Sequence, residues 1–161
     1  MARYTIRPAK PGEGKALSAI EKSAAALFRG VGMDAIADAP VTPPAVYEQA
    51  IAQGRALVAI QTKRPVAFLA YEPIDAATFI SEVSVQCDHM GHGLGAQLID
   101  ALPWPTTLSC FTQVPWNRAY YERLEFRVVR PLACGPGHAA IARDEALRFD
   151  PWPRCIMLRG A

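Results

Sequence analysis

A mixed α/β fold is what the sequence predicts, and three observations predict it. Strand-like and helix-like runs alternate in the order β-α-α-β-β-β-α-β-α-β-α-β. Hydrophobic residues make up 51% and charged residues 20% of the 161 residues, a globular composition with room for one core and a single domain over 1–161. The third observation is the stretch Val83–Ile99, in which a strand runs through a turn with glycines at 91, 93 and 95 into an apolar-periodic helix start, Leu94, Leu98 and Ile99.

The elements follow in order. Tyr4-Thr5-Ile6-Arg7 alternates and is closed by Pro8, so it reads as a strand. Pro11-Gly12-Glu13 opens a helix with Leu17, Ile20, Ala24, Leu27 and Phe28 at helical spacing, stopped by Gly30 and Gly32. Met33–Pro40 shows no period. Thr42 before Pro43-Pro44 is the expected cap of a helix reaching Gln53, ended by Gly54. Arg55–Gln61 and Pro65–Tyr71 form a hairpin around Thr62-Lys63-Arg64. Asp75 lies in the next turn, and Thr78–Gln86 is the strand entering the glycine turn. Thr106–Thr112 is a strand, Asn117–Leu124 a short helix capped by Asn117, and Phe126–Val129 a strand. His138–Phe149 is helical, and Cys155–Arg159 is the last strand.

Several function classes are set aside. No apolar run reaches the roughly 18 residues of a membrane span. The opening Met-Ala-Arg-Tyr-Thr-Ile-Arg leads into a strand without a signal-peptide core, so the expected location is cytoplasmic. A net charge of +2, with no basic run interleaved with aromatics, gives no reason to expect nucleic acid. Cys87, Cys110, Cys134 and Cys155 are too widely spaced for a metal site, so no metal is expected and the thiols read as buried or idle; Cys87, close to the turn, is the one of interest.

A strand, a glycine-rich turn and a helix start together suit a phosphate, most simply a diphosphate. Glycines let the backbone approach, and the first N–H groups of the helix point at the anion. Alternating glycines alone also mark plain tight turns. A P-loop is excluded because Ala96-Gln97 stands where it needs Lys-Ser/Thr, and a dinucleotide fingerprint because the turn lies past mid-chain with Asp100 too near.

A second motif lies downstream: Val114-Pro115-Trp116-Asn117-Arg118-Ala119-Tyr120-Tyr121-Glu122-Arg123-Leu124-Glu125-Phe126. With both in view, the chain resembles the GNAT superfamily of acetyl-CoA-dependent N-acetyltransferases over nearly its whole length. The glycine turn is similar to the family's Gln/Arg-x-x-Gly-x-Gly/Ala loop, and the later run to its Asn-x-x-x-Tyr-x-x-x-Gly-Phe segment. Met90 departs from the usual Gln or Arg, and Glu125 from the usual glycine, which suggests a different turn out of that helix. The segment after Gly95 is short, cut by Pro103-Trp104-Pro105.

The resemblance implies a central mixed, mostly antiparallel sheet flanked by helices, with a V-shaped splay between the fourth and fifth strands. It implies acetyl-CoA as co-substrate, bound by Val83, Val85, Met90, Gly91, His92, Gly93, Leu94, Gly95, Ala96, Asn117 and Tyr121. In that scheme backbone N–H groups of 91–96 grip the diphosphate, and the Val85 N–H polarises the thioester carbonyl. Tyr121 faces the sulfur. A thiol near pKa ~8.5 and a phenol near ~10 make its role a hydrogen bond to developing thiolate charge rather than full proton transfer. A half-buried Tyr packing the sheet edge is the other reading of Tyr121, and for Asn117 it is a helix cap.

Glu82 and Ser84, two apart on one strand, share a sheet face. Glu82 is the candidate base for the amine, with an acceptor-binding anion or an edge-strand charge as alternatives. His89 and His92 read as solvated or as phosphate contacts. Met33, Asp34, Ile36 and Asp38, in the segment 28–42, are expected either to bind a cationic acceptor or to form a flexible loop. The expected reaction is direct acetyl transfer to a primary amine of a small molecule. A non-catalytic CoA-binding sensor and a protein or peptide acetyltransferase are the alternatives, and a homodimer is left open.

Overall fold

The structure, a computed structural model, describes residues 3–160. Its contacts gather into two units, one of residues up to Tyr71 with Glu82–Ala101, the other of Glu72–Ser81 with the chain from Leu102 onward. The strands follow the order β1-β2-β3-β4-β5-β7-β6.

The first unit holds β1 (Thr5–Pro8), α1 (Gly14–Ala25), a 3-10 stretch over Ala26–Val31, α2 (Asp34–Ala37), α3 (Pro44–Ala52), β2 (Ala56–Gln61), most of β3 (Arg64–Ile74), the end of β4 (Ala77–Val85) and α4 (Leu94–Asp100). β1 pairs antiparallel with β2, and β2 with β3. The apolar stripe of α1 does what its spacing predicts: Leu17 and Ile20 pack with Tyr47 and Ile51 of α3 over Val58, Phe68 and Ala70 of the sheet. The two helices touch closely at Gly14, where a Cβ would stand 2.6 Å from the Pro44 carbonyl oxygen. Glu48 of α3 also accepts the Gly14 N–H at 2.7 Å.

Thr42 is not the cap of α3. Pro43 holds the cap position with no side-chain bond, and the Thr42 N–H is instead taken by Glu21. The β2–β3 hairpin turns on Thr62 and Lys63, both left-handed at φ 48° and 67°, as a two-residue hairpin turn demands.

In the second unit, β4 pairs in parallel with β5 (Thr106–Phe111) over Thr78–Ile80 and Thr106–Leu108. β5 pairs antiparallel with β7 (Arg154–Arg159), and β7 with β6 (Arg127–Val129). α5 (Arg118–Arg123), α6 (Pro131–Cys134) and α7 (Pro136–Arg148) complete it. The sheet is therefore mixed, with one parallel pair among antiparallel ones.

Asp75 clips the β3–β4 turn to α7. Its carboxylate accepts the Gly137 N–H at 3.1 Å, the His138 N–H at 3.0 Å and the His138 ring Nδ1 at 2.7 Å. Close approach explains the glycine: a Cβ on Gly137 would stand 2.7 Å from Ile74. The other ring nitrogen of His138 meets Thr107 Oγ1 at 2.8 Å.

Glu125 corrects an expectation. Its φ of 70° is left-handed, so the turn out of α5 keeps the conformation a glycine favours even though a glutamate occupies it. α2 and α6, four residues each, were not expected, because a single turn shows no period.

Two outcomes follow. Glu125→Gly relieves a strained backbone worth about 1 kcal/mol and raises Tm by about 2–4 °C in a thermal scan; an unchanged or lower Tm contradicts the strain. The ring hydrogen bond of His138, joined by the backbone N–H groups of His138 and Gly137, holds the Asp75 carboxyl below its ordinary range. A depressed carboxyl stabilises fully above its unfolded value of about 4 and loses that contribution as pH falls through the folded one. Asp75→Asn should therefore lower Tm at neutral pH and flatten the decline of Tm between about pH 5 and pH 3; an unaltered slope contradicts the clip.

Candidate functional site

β4 ends at Val85, and Gln86 donates its N–H to the Val66 carbonyl of β3 at 2.9 Å. One 3-10 turn, Cys87–His89, follows, and then the glycine turn. Gly91 and Gly93 are left-handed at φ 82° and 72°, and nothing lies within 4 Å of a Cβ built on Gly91. Gly91, His92 and Gly93 are exposed, whereas Leu94 and Gly95 are buried under the sheet-facing side of α4. The α4 ladder begins with Gln97 N–H donating to Gly93 O, so the N–H groups of Leu94, Gly95 and Ala96 stand ahead of it. An open, left-handed backbone leading into a helix suits the diphosphate that the sequence implies.

The turn is tied at its base. Cys87 donates its N–H to Ser23 Oγ at 3.2 Å and its thiol to the Ser23 carbonyl at 3.0 Å, so this thiol anchors the turn to α1. Tyr4 reaches His89 Nδ1 at 3.0 Å, and its ring lies 5.4 Å from that of His92. Met90, just before the turn, is 37% exposed.

On β4, Ser84 Oγ donates to Glu82 Oε1 at 2.7 Å, and Val83 and Val85 are half-buried. Two residues were missed by the sequence reading. Tyr47 of α3 is 3% exposed and donates its phenol to Glu21 Oε2 at 2.6 Å. Burial first, then the Glu82 charge, then the Glu21 hydrogen bond push that phenol far above its ordinary pKa, so it stays neutral. Glu21 follows Leu17 by four residues on the apolar stripe of α1, and a carboxylate on a buried stripe was the legible signal.

Asp38 pairs with Arg29 at the surface, Asp34 is exposed, and Met33 is buried at 4%.

In the second unit, Tyr121 is half-buried, edge-on to Phe126 at 5.8 Å and to Tyr120 at 5.3 Å. Asn117 precedes α5 without a side-chain cap, contrary to the capping alternative; its N–H donates to the Val114 carbonyl and its own carbonyl accepts the Tyr121 N–H, each at 3.0 Å. A cavity of about 430 Å³ lined by Ser109, Glu145, Trp152 and Arg154 contains none of the residues expected to bind acetyl-CoA or to act in catalysis. Among the described residues no group of three His, Cys, Asp or Glu side chains forms a metal cluster, and no helix is long and apolar enough to cross a membrane.

No family model matches the sequence. Solved structures do match. A PaiA N-acetyltransferase from Thermoplasma acidophilum, in complex with coenzyme A, is 11% identical, with 99% of each chain covered and a TM-score of 0.70. The ribosomal-protein-S18-alanine N-acetyltransferase from Escherichia coli is 16% identical, covering 98% of this chain and 93% of its own, at a TM-score of 0.68. A GNAT-family acetyltransferase from Bacillus cereus is 12% identical, covering 97% and 96%, at 0.66. At such identities the likeness is one of fold: this chain has the fold of the GNAT acetyltransferases.

Proposed function

We propose that the protein is an acetyl-CoA-dependent N-acetyltransferase acting on a primary amine of a small molecule. The observation that carries the reading is the exposed, left-handed turn at Gly91 and Gly93 running into α4, in a fold shared with acetyltransferases. N–H groups of Gly91, His92, Gly93, Leu94, Gly95 and Ala96 hold the diphosphate, with Met90 beside them contributing packing only. Backbone groups of Val83 and Val85 hold the pantetheine arm in the manner of an added strand, and the Val85 N–H polarises the thioester carbonyl. Asn117 contributes its side-chain amide to the coenzyme. Glu82, steadied by Ser84, takes the proton of the attacking amine, and Tyr121 donates a hydrogen bond to the departing sulfur.

A CoA-binding protein that transfers nothing is the second reading. Met90, in place of a polar side chain beside the turn, favours it, whereas Glu125 holds the left-handed conformation that a glycine would. Tyr121→Phe is expected to lower kcat by about 10²-fold with little change in the KM for acetyl-CoA. Equal loss in both, or no loss, removes Tyr121 from the chemistry. Binding of acetyl-CoA without turnover on any amine favours the second reading, and turnover on peptides but not on free amines overturns the small-molecule acceptor.

A further inference from the structure

Two cysteines that the proposed reaction does not use stand opposite one another in the second unit. Cys110 of β5 and Cys155 of β7 are register partners, and their sulfurs lie 3.8 Å apart. Thr112 donates its N–H to Pro153 O at 3.0 Å, and two residues back along each strand the Cys110–Cys155 pair is of the same hydrogen-bonded kind. Such pairs hold their Cα atoms about 5.5 Å apart, within the span of roughly 4.4–6.8 Å that a disulfide bridges. Ser109 and Arg154, which meet Glu145 of α7, occupy the other face of the sheet, so both thiols point away from α7.

The two thiols are unequal. Cys110 is 1% exposed and also meets the Met157 sulfur at 3.7 Å, whereas Cys155 is half-buried. A hydrogen bond from Cys110, then one from Thr112 and the charges of Arg118 and Arg154, hold the Cys155 thiol below its ordinary range against the effect of burial. The same hydrogen bond, followed by burial, pushes the Cys110 thiol far up. Cys155 is thus the nucleophile of the pair and Cys110 its proton-bearing partner.

We propose that Cys155 and Cys110 form an oxidisable dithiol, a modification site whose reagent is a low-molecular-weight disulfide. The Cys155 thiolate attacks one sulfur of the reagent, the reagent's S–S bond breaks, and a mixed disulfide forms on Cys155. The first small thiolate leaves and takes up the proton that Cys155 gave to solvent. Capping Cys155 removes the charge that held the Cys110 proton in place. Cys110 then loses that proton and attacks the Cys155 sulfur, and the second small thiolate leaves with it. Two electrons pass from the protein to the reagent: two protein thiols become one disulfide, and one small disulfide becomes two thiols. This chemistry is independent of the acetyltransferase reading.

The test is incubation of the folded protein with glutathione disulfide, followed by peptide mapping under non-reducing conditions. A fragment joining Cys110 to Cys155 is expected, lost again on treatment with a thiol reductant. In Cys110→Ser the reaction should stop with glutathione retained on Cys155, and in Cys155→Ser the buried Cys110 should take up none. That order guards against cross-linking of unfolded chains, in which both thiols are open and either reacts first. Cys155 left unmodified in the unaltered protein, or keeping glutathione without linking to Cys110, overturns the proposal, as does uptake at Cys110 in Cys155→Ser. The map of the unaltered protein decides even where a variant does not fold.

Discussion

Backbone conformation at residues 91 and 93 is the constraint on which the rest depends. A side chain in the left-handed region costs about 1–2 kcal/mol, and this turn needs the region twice within three residues. Glycine meets that need and also leaves the outer surface bare, so one substitution-sensitive feature sets both the shape of the turn and its accessibility. A bare turn is also free to move. Here its base is held by Ser23 on α1 through two bonds to Cys87, and by Tyr4 of the N-terminal strand through His89. The open part is thus mounted on a fixed part, the condition under which backbone donors are oriented before a ligand arrives.

The same backbone region recurs where glycine is absent, and there it has a different meaning. Thr62, Lys63, Asp75 and Glu125 are all left-handed. At Thr62 and Lys63 the hairpin geometry compels it, and antiparallel pairing on both sides holds it. At Asp75 the strain is offset by three hydrogen bonds to the start of α7. At Glu125 the N–H of the next residue, Phe126, returns to the Tyr121 carbonyl at 3.0 Å, closing the end of α5 and carrying Phe126 into the core at 3% exposure. A glutamate therefore holds a conformation that a glycine would hold at lower cost.

Most of the fold was legible because period and punctuation agreed: α1, β2, β3, α4 and β7 carry apolar residues at the spacing their structure requires and end at Gly, Pro or turn residues. The short helices α2 and α6 were not legible, since four residues carry no period. The glycine turn was legible as an open turn running into a helix, because glycines at alternate positions precede an apolar period. The Glu21–Tyr47 pair was not, although each residue stood at a buried helical position, because the pairing joins α1 to α3 across 26 residues of sequence. Spacing along a chain reports faces of single elements; it does not report which two faces meet. The reading of Thr42 as a helix cap failed for the same reason, since its N–H found a partner on another helix.

Two of the polar circuits in this protein fasten one element to another around a carboxylate. In one, ionised Asp75 requires the hydrogen on His138 Nδ1, which in the neutral ring leaves Nε2 to accept from Thr107. Every polar atom of that imidazole is used, His138 and Thr107 are both 0% exposed, and the circuit is complete without a ligand. It can fasten a turn to a helix and do nothing more. In the other, Glu21 accepts the Tyr47 phenol hydrogen at 2.6 Å and the Thr42 N–H at 3.1 Å, which fastens α1 to α3 and to the chain just before it.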